Sequence, residues 1–212
     1  QPGDVPCHVL LGGIEVPRVI GKCGSLIKEL RQESGAEVSI MDRPPAVPEA
    51  LRRPGWHVAL VRGQEEAVKA AIAGLVRNAR GPQAIRQLDG EKEGEVTVLL
   101  PLKCESGLDS EALLGGTACR LRTSRVEGVR RHLLVHVAGE ETADLQAVAL
   151  RLHELVLGLS RSGVLTDKDF DLQDSSWDVA MEAYQARRQG AAAAAEAPGT
   201  GGAEREHPGR CP

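Results

Sequence analysis

Gly21-Lys22-Cys23-Gly24 is the stretch of this chain in which residue types at a fixed spacing suggest chemistry. Two glycines three positions apart carry no Cβ and tolerate positive φ, so the backbone between them can approach another chain closely and aim its amides at an anion. Lys22 adds a cation to that loop. Ser25, Lys28 and Arg31 recur every three residues after it, which on a helix puts them on one face running away from the loop. This is equipment for holding an anion, a phosphate above all, and not for making or breaking bonds. His8, His57, His132, His136, His153 and His207 accompany no nucleophile motif, and there is no Walker loop, dinucleotide fingerprint or zinc spacing. The five cysteines, Cys7, Cys23, Cys104, Cys119 and Cys211, are odd in number and scattered, as free thiols in a reducing compartment would be. The expectation is therefore no enzyme, no cofactor and no metal.

The elements that must position the loop can be read on either side of it. Val19-Ile20 is an apolar pair ahead of the first glycine. From Ser25 to Ser34, Leu26, Ile27 and Leu30 recur at helical spacing, with Ser25 as the expected cap and Gly35 as a left-handed stop. After Gly35, Val38 and Ile40 alternate with Glu37, Ser39 and Met41, as in a half-buried strand. A bare Gly-x-x-Gly says little: 24 glycines in 212 residues give about two or three matches by chance, and Gly199-Thr200-Gly201-Gly202 is one of them. The ordered string from apolar pair to strand is far more specific.

That string, Val19 to Ile40, resembles the type I KH domain, a binder of single-stranded nucleic acid, and a looser likeness extends over about Cys7 to Arg80. The resemblance implies a fold of three strands packed by three helices, in the order strand, helix, loop, helix, strand, strand, helix. The flanking segments agree. Residues 7–11 read as the first strand, and the stretch to Ile20 as one or two helical turns. Trp56 to Arg62 alternates as the third strand. A helix begins near Gln64, with Glu65 and Glu66 in its first turn, Arg77 and Arg80 in its last, and Val68, Ala71, Ile72, Leu75 and Val76 as its buried stripe. Between the second and third strands, four prolines within 42–55 argue against a regular element.

The resemblance also implies the site. Gly21, Lys22, Cys23, Gly24 and Ser25 would clamp the phosphates of the strand. Lys28 and Arg31 would contact phosphates or base edges, Val38 and Ile40 would line the groove, and Ile20, Ile27 and Arg43 would lie at its margin. Aromatic residues make up 2% of the chain, which counts against stacking platforms of the RRM or OB kind but not against an aliphatic groove.

The remainder reads as a second copy. Val98-Leu99-Leu100 repeats Val9-Leu10-Leu11, and Gly139-Glu140-Glu141 echoes Gly63-Gln64-Glu65. His132 to Ala138 alternates as a strand, and a helix from Glu141 carries the stripe Leu145, Val148, Leu152, Leu155, Val156 and Leu159. Pro101 to Ala118 is too short for two helices and a loop, and Gly115-Gly116 lacks the Gly-x-x-Gly spacing. The fold class expected is thus α+β: two type I KH folds, the second degenerate. The boundaries are residues 1–81, a linker at 82–94, the second fold at 95–160, an acidic segment with a short helix at 161–190, and a low-complexity tail at 191–212. The tandem layout resembles that of poly(C)-binding and Nova proteins.

Charge agrees with that division of labour. Residues 1–88 hold 12 Lys+Arg against 9 Asp+Glu, a net of +3, and residues 89–212 hold 14 against 21, a net of −7. The expected function is binding of single-stranded nucleic acid, pyrimidine-rich RNA above all, in the nucleus or cytoplasm, as part of post-transcriptional regulation. The alternative is a scaffold whose acidic half, residues 95–190, contacts other proteins. No run of 18 apolar residues suggests a membrane partner. The chain opens at Gln1, which suggests a fragment or processed form.

Overall fold

The computed structural model describes residues 5–41, 51, 55–81, 94–125, 129 and 131–172, all within one compact unit, Gln1–Trp177. The order is β1 (Cys7–Leu11), α1 (Glu15–Ile20), a 3-10 turn (Lys22–Gly24), α2 (Ser25–Ser34), β2 (Glu37–Met41), β3 (His57–Arg62) and α3 (Glu65–Arg80). It continues with β4 (Gly94–Pro101), a 3-10 segment (Leu102–Gly107), α4 (Ser110–Leu114), β5 (Arg120–Ser124), β6 (His132–Gly139), α5 (Thr142–Arg161) and a last 3-10 turn (Asp167–Phe170). The six strands form one antiparallel sheet in the order β2-β3-β1-β4-β6-β5. The outer three strands on each side repeat one another: first strand innermost, third beside it, second at the edge.

The halves join through the sheet. β1 pairs with β4 in the register His8↔Leu99, Val9↔Val98 and Leu10↔Thr97, and α3 packs on α5, where Gln146 Nε2 donates to the Ala73 carbonyl at 2.7 Å. Alternation along the strands sends Val9, Leu11, Val61, Val98, Leu100, Val135 and Val137 to the helices, where they meet Leu30, Ile72, Leu75, Leu145 and Leu152 in one core. An antiparallel sheet commonly leaves its other face to water. Here that face is buried too: Leu10, Val58, Leu99 and Leu134 form a second cluster, covered by Leu51, Val129 and Leu172, with Met41 and Trp56 against it. Leu165 lies in the helix-side core and Leu172 in this second cluster, so the chain after α5 passes from one side of the sheet to the other.

Some expectations need correcting. Pro101 to Ala118, expected to be too short for two helices and a loop, holds a 3-10 segment and the five-residue α4, whose cap Asp109 accepts from the Glu111 and Ala112 amides at 3.0 and 3.3 Å. The sequence compresses two elements rather than deleting them. In the proline-rich stretch, Leu51 is helical and wholly buried, while residues 42–50 and 52–54 lie outside the described residues, as do everything after Leu172 and all of the linker expected at 82–94 except Gly94, which opens β4.

The α2–α3 crossing depends on Gly74, where a Cβ would sit 2.4 Å from Leu30 Cδ1. Leu30 is itself in the core with no open side to turn to. Alanine is favoured over glycine in a helix by about 1 kcal/mol, but overpacking a closed core costs about 1–3 kcal/mol. Gly74→Ala is therefore expected to destabilise by about 1 kcal/mol net, and combining it with Leu30→Val should cost less than the sum of the two. Urea midpoints of the single and double variants check this.

Candidate nucleic-acid interface

The loop is held by its two helices. Val19 anchors α1 in the core, and the helix ends as the Gly21 N–H donates to the Pro17 carbonyl at 2.9 Å. Gly21 has φ 72 and ψ 177, a conformation that only glycine adopts readily. The turn closes when the Gly24 N–H donates to the Gly21 carbonyl at 3.2 Å. Cys23 and Gly24 are both left-handed, at φ 53, ψ 28 and φ 76, ψ 20. Among the described residues Cys23 is the non-glycine residue with positive φ. Such a residue costs about 1–2 kcal/mol and persists only where its surroundings enforce it. The result is a tight corner with Lys22 and Cys23 exposed at its tip.

Ser25 does not cap α2, as the sequence suggested. Gly24 occupies the cap position and Ser25 is the first helical residue, exposed. No side chain satisfies the helix N-terminus and its first turn holds no acid. The positive end of the helix dipole thus stands beside Lys22 with nothing of its own to neutralise it. Lys22 and Lys28 form no ion pair with a described residue, and both are exposed. Of the acids of α2, Glu33 is engaged away from the loop, facing Arg77 at 3.6 Å.

Arg31 is more constrained than a solvated ledge residue. Its Nε donates to the Val38 carbonyl at 2.7 Å, fastening α2 to edge strand β2. The far end of α2 is closed by Gly35, left-handed at φ 71, and by Ser34, whose Oγ donates to the Leu30 carbonyl at 2.6 Å and accepts from the Ala36 amide at 3.2 Å. Val38 differs from the expectation. Its side chain is 0% exposed and belongs to the core, so it offers no groove surface. The alternation runs the other way from a groove wall, because the inward parity of β2 is the one carrying Val38. Ile40, on the same parity nearer the strand end, is half-buried, as is Ile20, and Ile27 is buried beneath the ledge. Leu26, 37% exposed, covers Gly21 and supplies apolar surface beside the loop that the sequence reading used only for packing. Arg43 lies outside the described residues.

The second half carries no such corner. Gly115 and Gly116 are left-handed at φ 53 and 80, but they end α4 instead of opening a helix. In and just after β5, Arg122 pairs with Glu95 at 3.3 Å and Arg125 with Glu105 at 2.6 Å. Behind them His136 bonds Ser124 Oγ through Nε2 at 2.8 Å and lies 3.0 Å from Glu95 Oε1 and 3.1 Å from Thr97 Oγ1 through Nδ1. Residue spacing does not reveal this chain of polar groups, which follows from strand register: Thr97 and Arg122 are both opposite His136. It satisfies a buried imidazole. Among the described residues no group of three or more His, Cys, Asp or Glu could hold a metal ion, and no helix is long and apolar enough to cross a membrane.

No curated protein matches the chain. Among solved structures, it is similar to a protein of unknown function from Aeropyrum pernix, at 12% identity over 88% of this chain and 98% of that one, with a TM-score of 0.28, too slight a likeness to inform fold or function. A KH domain is detected over residues 14–76, a match that ends inside α3 and takes in none of β4 to α5. KH domains are generally binders of single-stranded RNA or DNA and typically are not enzymes. The glycine corner, α1 and α2 and the edge strand β2 all lie within those residues and are parts of that KH domain.

Proposed function

We propose that this chain binds single-stranded nucleic acid, RNA in preference to DNA, at the corner Gly21–Gly24. What carries the reading is the uncapped, acid-free N-terminus of α2 behind a left-handed corner, with Lys22 and Lys28 both exposed and outside any ion pair with a described residue. Phosphates meet the amides and Lys22. Bases turn toward apolar surface at Leu26, Ile20 and Ile40, and Ser25, Lys28 and Arg31 set the strand's register. Arg31, fixed to the Val38 carbonyl, presents its remaining guanidinium N–H groups. The second half is a degenerate KH fold of the same sheet order, without a phosphate clamp. Pyrimidine preference, a role in RNA regulation, and nuclear or cytoplasmic residence go with this reading.

The scaffold reading is favoured by one observation, the pairing of Arg122 and Arg125 with Glu95 and Glu105, which ties two exposed arginines of the second half to carboxylates. Protein contacts through that half are compatible with nucleic acid at the first.

Fluorescence anisotropy with short labelled C-rich, U-rich and mixed strands tests the proposal. Lys22→Asp/Cys23→Asp places two carboxylates at an exposed tip, so the fold should survive while affinity falls at least about tenfold. Wild-type affinity should also weaken as salt rises, with a shallow slope because few phosphates are contacted. Equal binding by both proteins, with circular dichroism showing both folded, rejects the clamp.

A further inference from the structure

A second concavity lies at the other end of α1. Between the Gly12-Gly13 turn, the first turn of α1, the last turn of α3 and the start of β4 is a cavity of about 300 Å³, the size at which pockets begin to hold small ligands. Arg18, Arg80 and Glu15 line it, and Glu95 borders it with its carboxylate engaged by Arg122 and His136. Glycines keep it open and shape its charges. A Cβ at position 94 would fall 2.0 Å from Arg80 Cζ, so Gly94 is what lets that guanidinium lie against β4. Glu15 Oε2 accepts from the Gly12 amide at 2.6 Å, which fixes the carboxylate at the cavity wall.

The balance of charge selects among ligands. A phosphate entering is drawn by the arginines but repelled by the Glu15 carboxylate beside them. A neutral planar group with acceptors on one edge and donors on the next suits the lining better. Guanine carries that set: O6 and N7 accept from a guanidinium, while N1–H and the 2-amino group donate to a carboxylate. Adenine has no carbonyl beside N7 and no donor at N1, and the pyrimidines lack the second edge.

We propose that this cavity takes a guanine base of the strand held at the glycine corner, with an arginine on its O6/N7 edge and Glu15 on its N1/N2 edge. The inference rests on the proposed nucleic acid binding. The six residues of α1 separate the two sites by about 9 Å, so the guanine flanks the bases at the loop. The chain then reads a composite element, a pyrimidine core with a guanine to one side.

The test uses the full chain and fluorescein-labelled eight-nucleotide strands: an all-pyrimidine strand, and strands carrying guanine, inosine or adenine at each flanking position in turn. One flanking position should show guanine binding on the order of tenfold tighter than adenine, with inosine, which lacks the 2-amino group, between them. Gly13 lines the cavity, has nothing within 4 Å of where its Cβ would be, and is not among the positive-φ residues. Gly13→Phe should therefore block the cavity in a folded protein, abolishing the guanine gain and leaving the all-pyrimidine affinity unchanged. Lys22→Asp/Cys23→Asp should remove binding of every strand. If the all-pyrimidine strand binds but no position shows a guanine gain, or the gain survives Gly13→Phe, the inference fails and the proposed function stands. If no strand binds wild type, both fall.

Discussion

Acidification should unfold this protein between about pH 6 and pH 4, with the midpoint set by three histidines. His8, His132 and His153 are each at most 4% exposed. Burial lowers their pKa values from 6.5 to about 3, 4 and 4, and for His8 the nearby His132 and Arg62 add to the shift. All three ionise near 6.5 in an unfolded chain, so below that pH the unfolded state binds more protons than the native one. Stability is full above 6.5 and declines as pH falls, until the native histidines themselves protonate near 4 and 3. Each contributes a slope of about 1.4 kcal/mol per pH unit, or about 4 kcal/mol for the three together. Against a typical domain stability of about 5–15 kcal/mol, two pH units remove most of what there is. Asp169, held low through Lys103 and Thr166, and Glu65, held low chiefly by Lys69, add losses of the same sign further into acid. Glu15, raised by burial, opposes them. Circular dichroism across pH should show a cooperative loss of structure whose steepness falls by about one third in His8→Leu. A native signal unchanged to pH 4 overturns the assignment.

The sequence announces what is encoded locally and is silent on what depends on register between distant segments. The corner was legible because glycines, an apolar stripe and an alternating strand follow one another within 22 residues, and each part has its own local signature. Gly35 as a left-handed stop and α3 from its charged ends were legible for the same reason. Ser25 misled because a serine ahead of an apolar run normally reads as a cap, whereas a left-handed glycine one residue earlier already occupies that position. Val38 misled because the resemblance assigns it to the groove wall, whereas the inward parity of β2 buries it in the core. The β1–β4 pairing is written in neither strand alone: Val9-Leu10-Leu11 and Val98-Leu99-Leu100 are apolar at every position. Such runs are marks of strands buried on both faces, as the second cluster around Leu10 and Leu99 bears out. The Arg31–Val38 bond and the four charges of the cavity near Gly12 arise from tertiary proximity, and nothing in the spacing of Glu15, Arg18, Arg80 and Glu95 foretells it.

The two glycines of the corner should not be equivalent. Gly21→Ala is expected to be among the most damaging substitutions in the first half, and Gly24→Ala a mild one, although a sequence pattern treats them alike. Both have positive φ, 72 and 76. At Gly24, φ and ψ lie in the left-handed region that other residues reach at about 1–2 kcal/mol, and a Cβ there would find Lys28 Cε no nearer than 3.9 Å. Gly24→Ala should thus cost about 1 kcal/mol. At Gly21, ψ of 177 puts the residue where a side chain is scarcely tolerated. Its Cβ would fall 2.6 Å from Leu26 Cγ and 2.9 Å from the Leu26 backbone nitrogen. Leu26 could swing its side chain away, but its nitrogen belongs to the first turn of α2 and cannot move without moving the helix. Strain and clash together set a cost of roughly 3 kcal/mol, and relief can come only by shifting α2 relative to α1. That shift displaces the amides and Lys22 that form the clamp. Gly21→Ala should lose strand binding by more than its stability loss alone explains, even at temperatures where it remains folded. Gly24→Ala should keep most of its affinity. Urea midpoints and anisotropy titrations on the two variants separate these outcomes. Equal losses would mean that the corner acts through flexibility rather than through the backbone conformation fixed at Gly21.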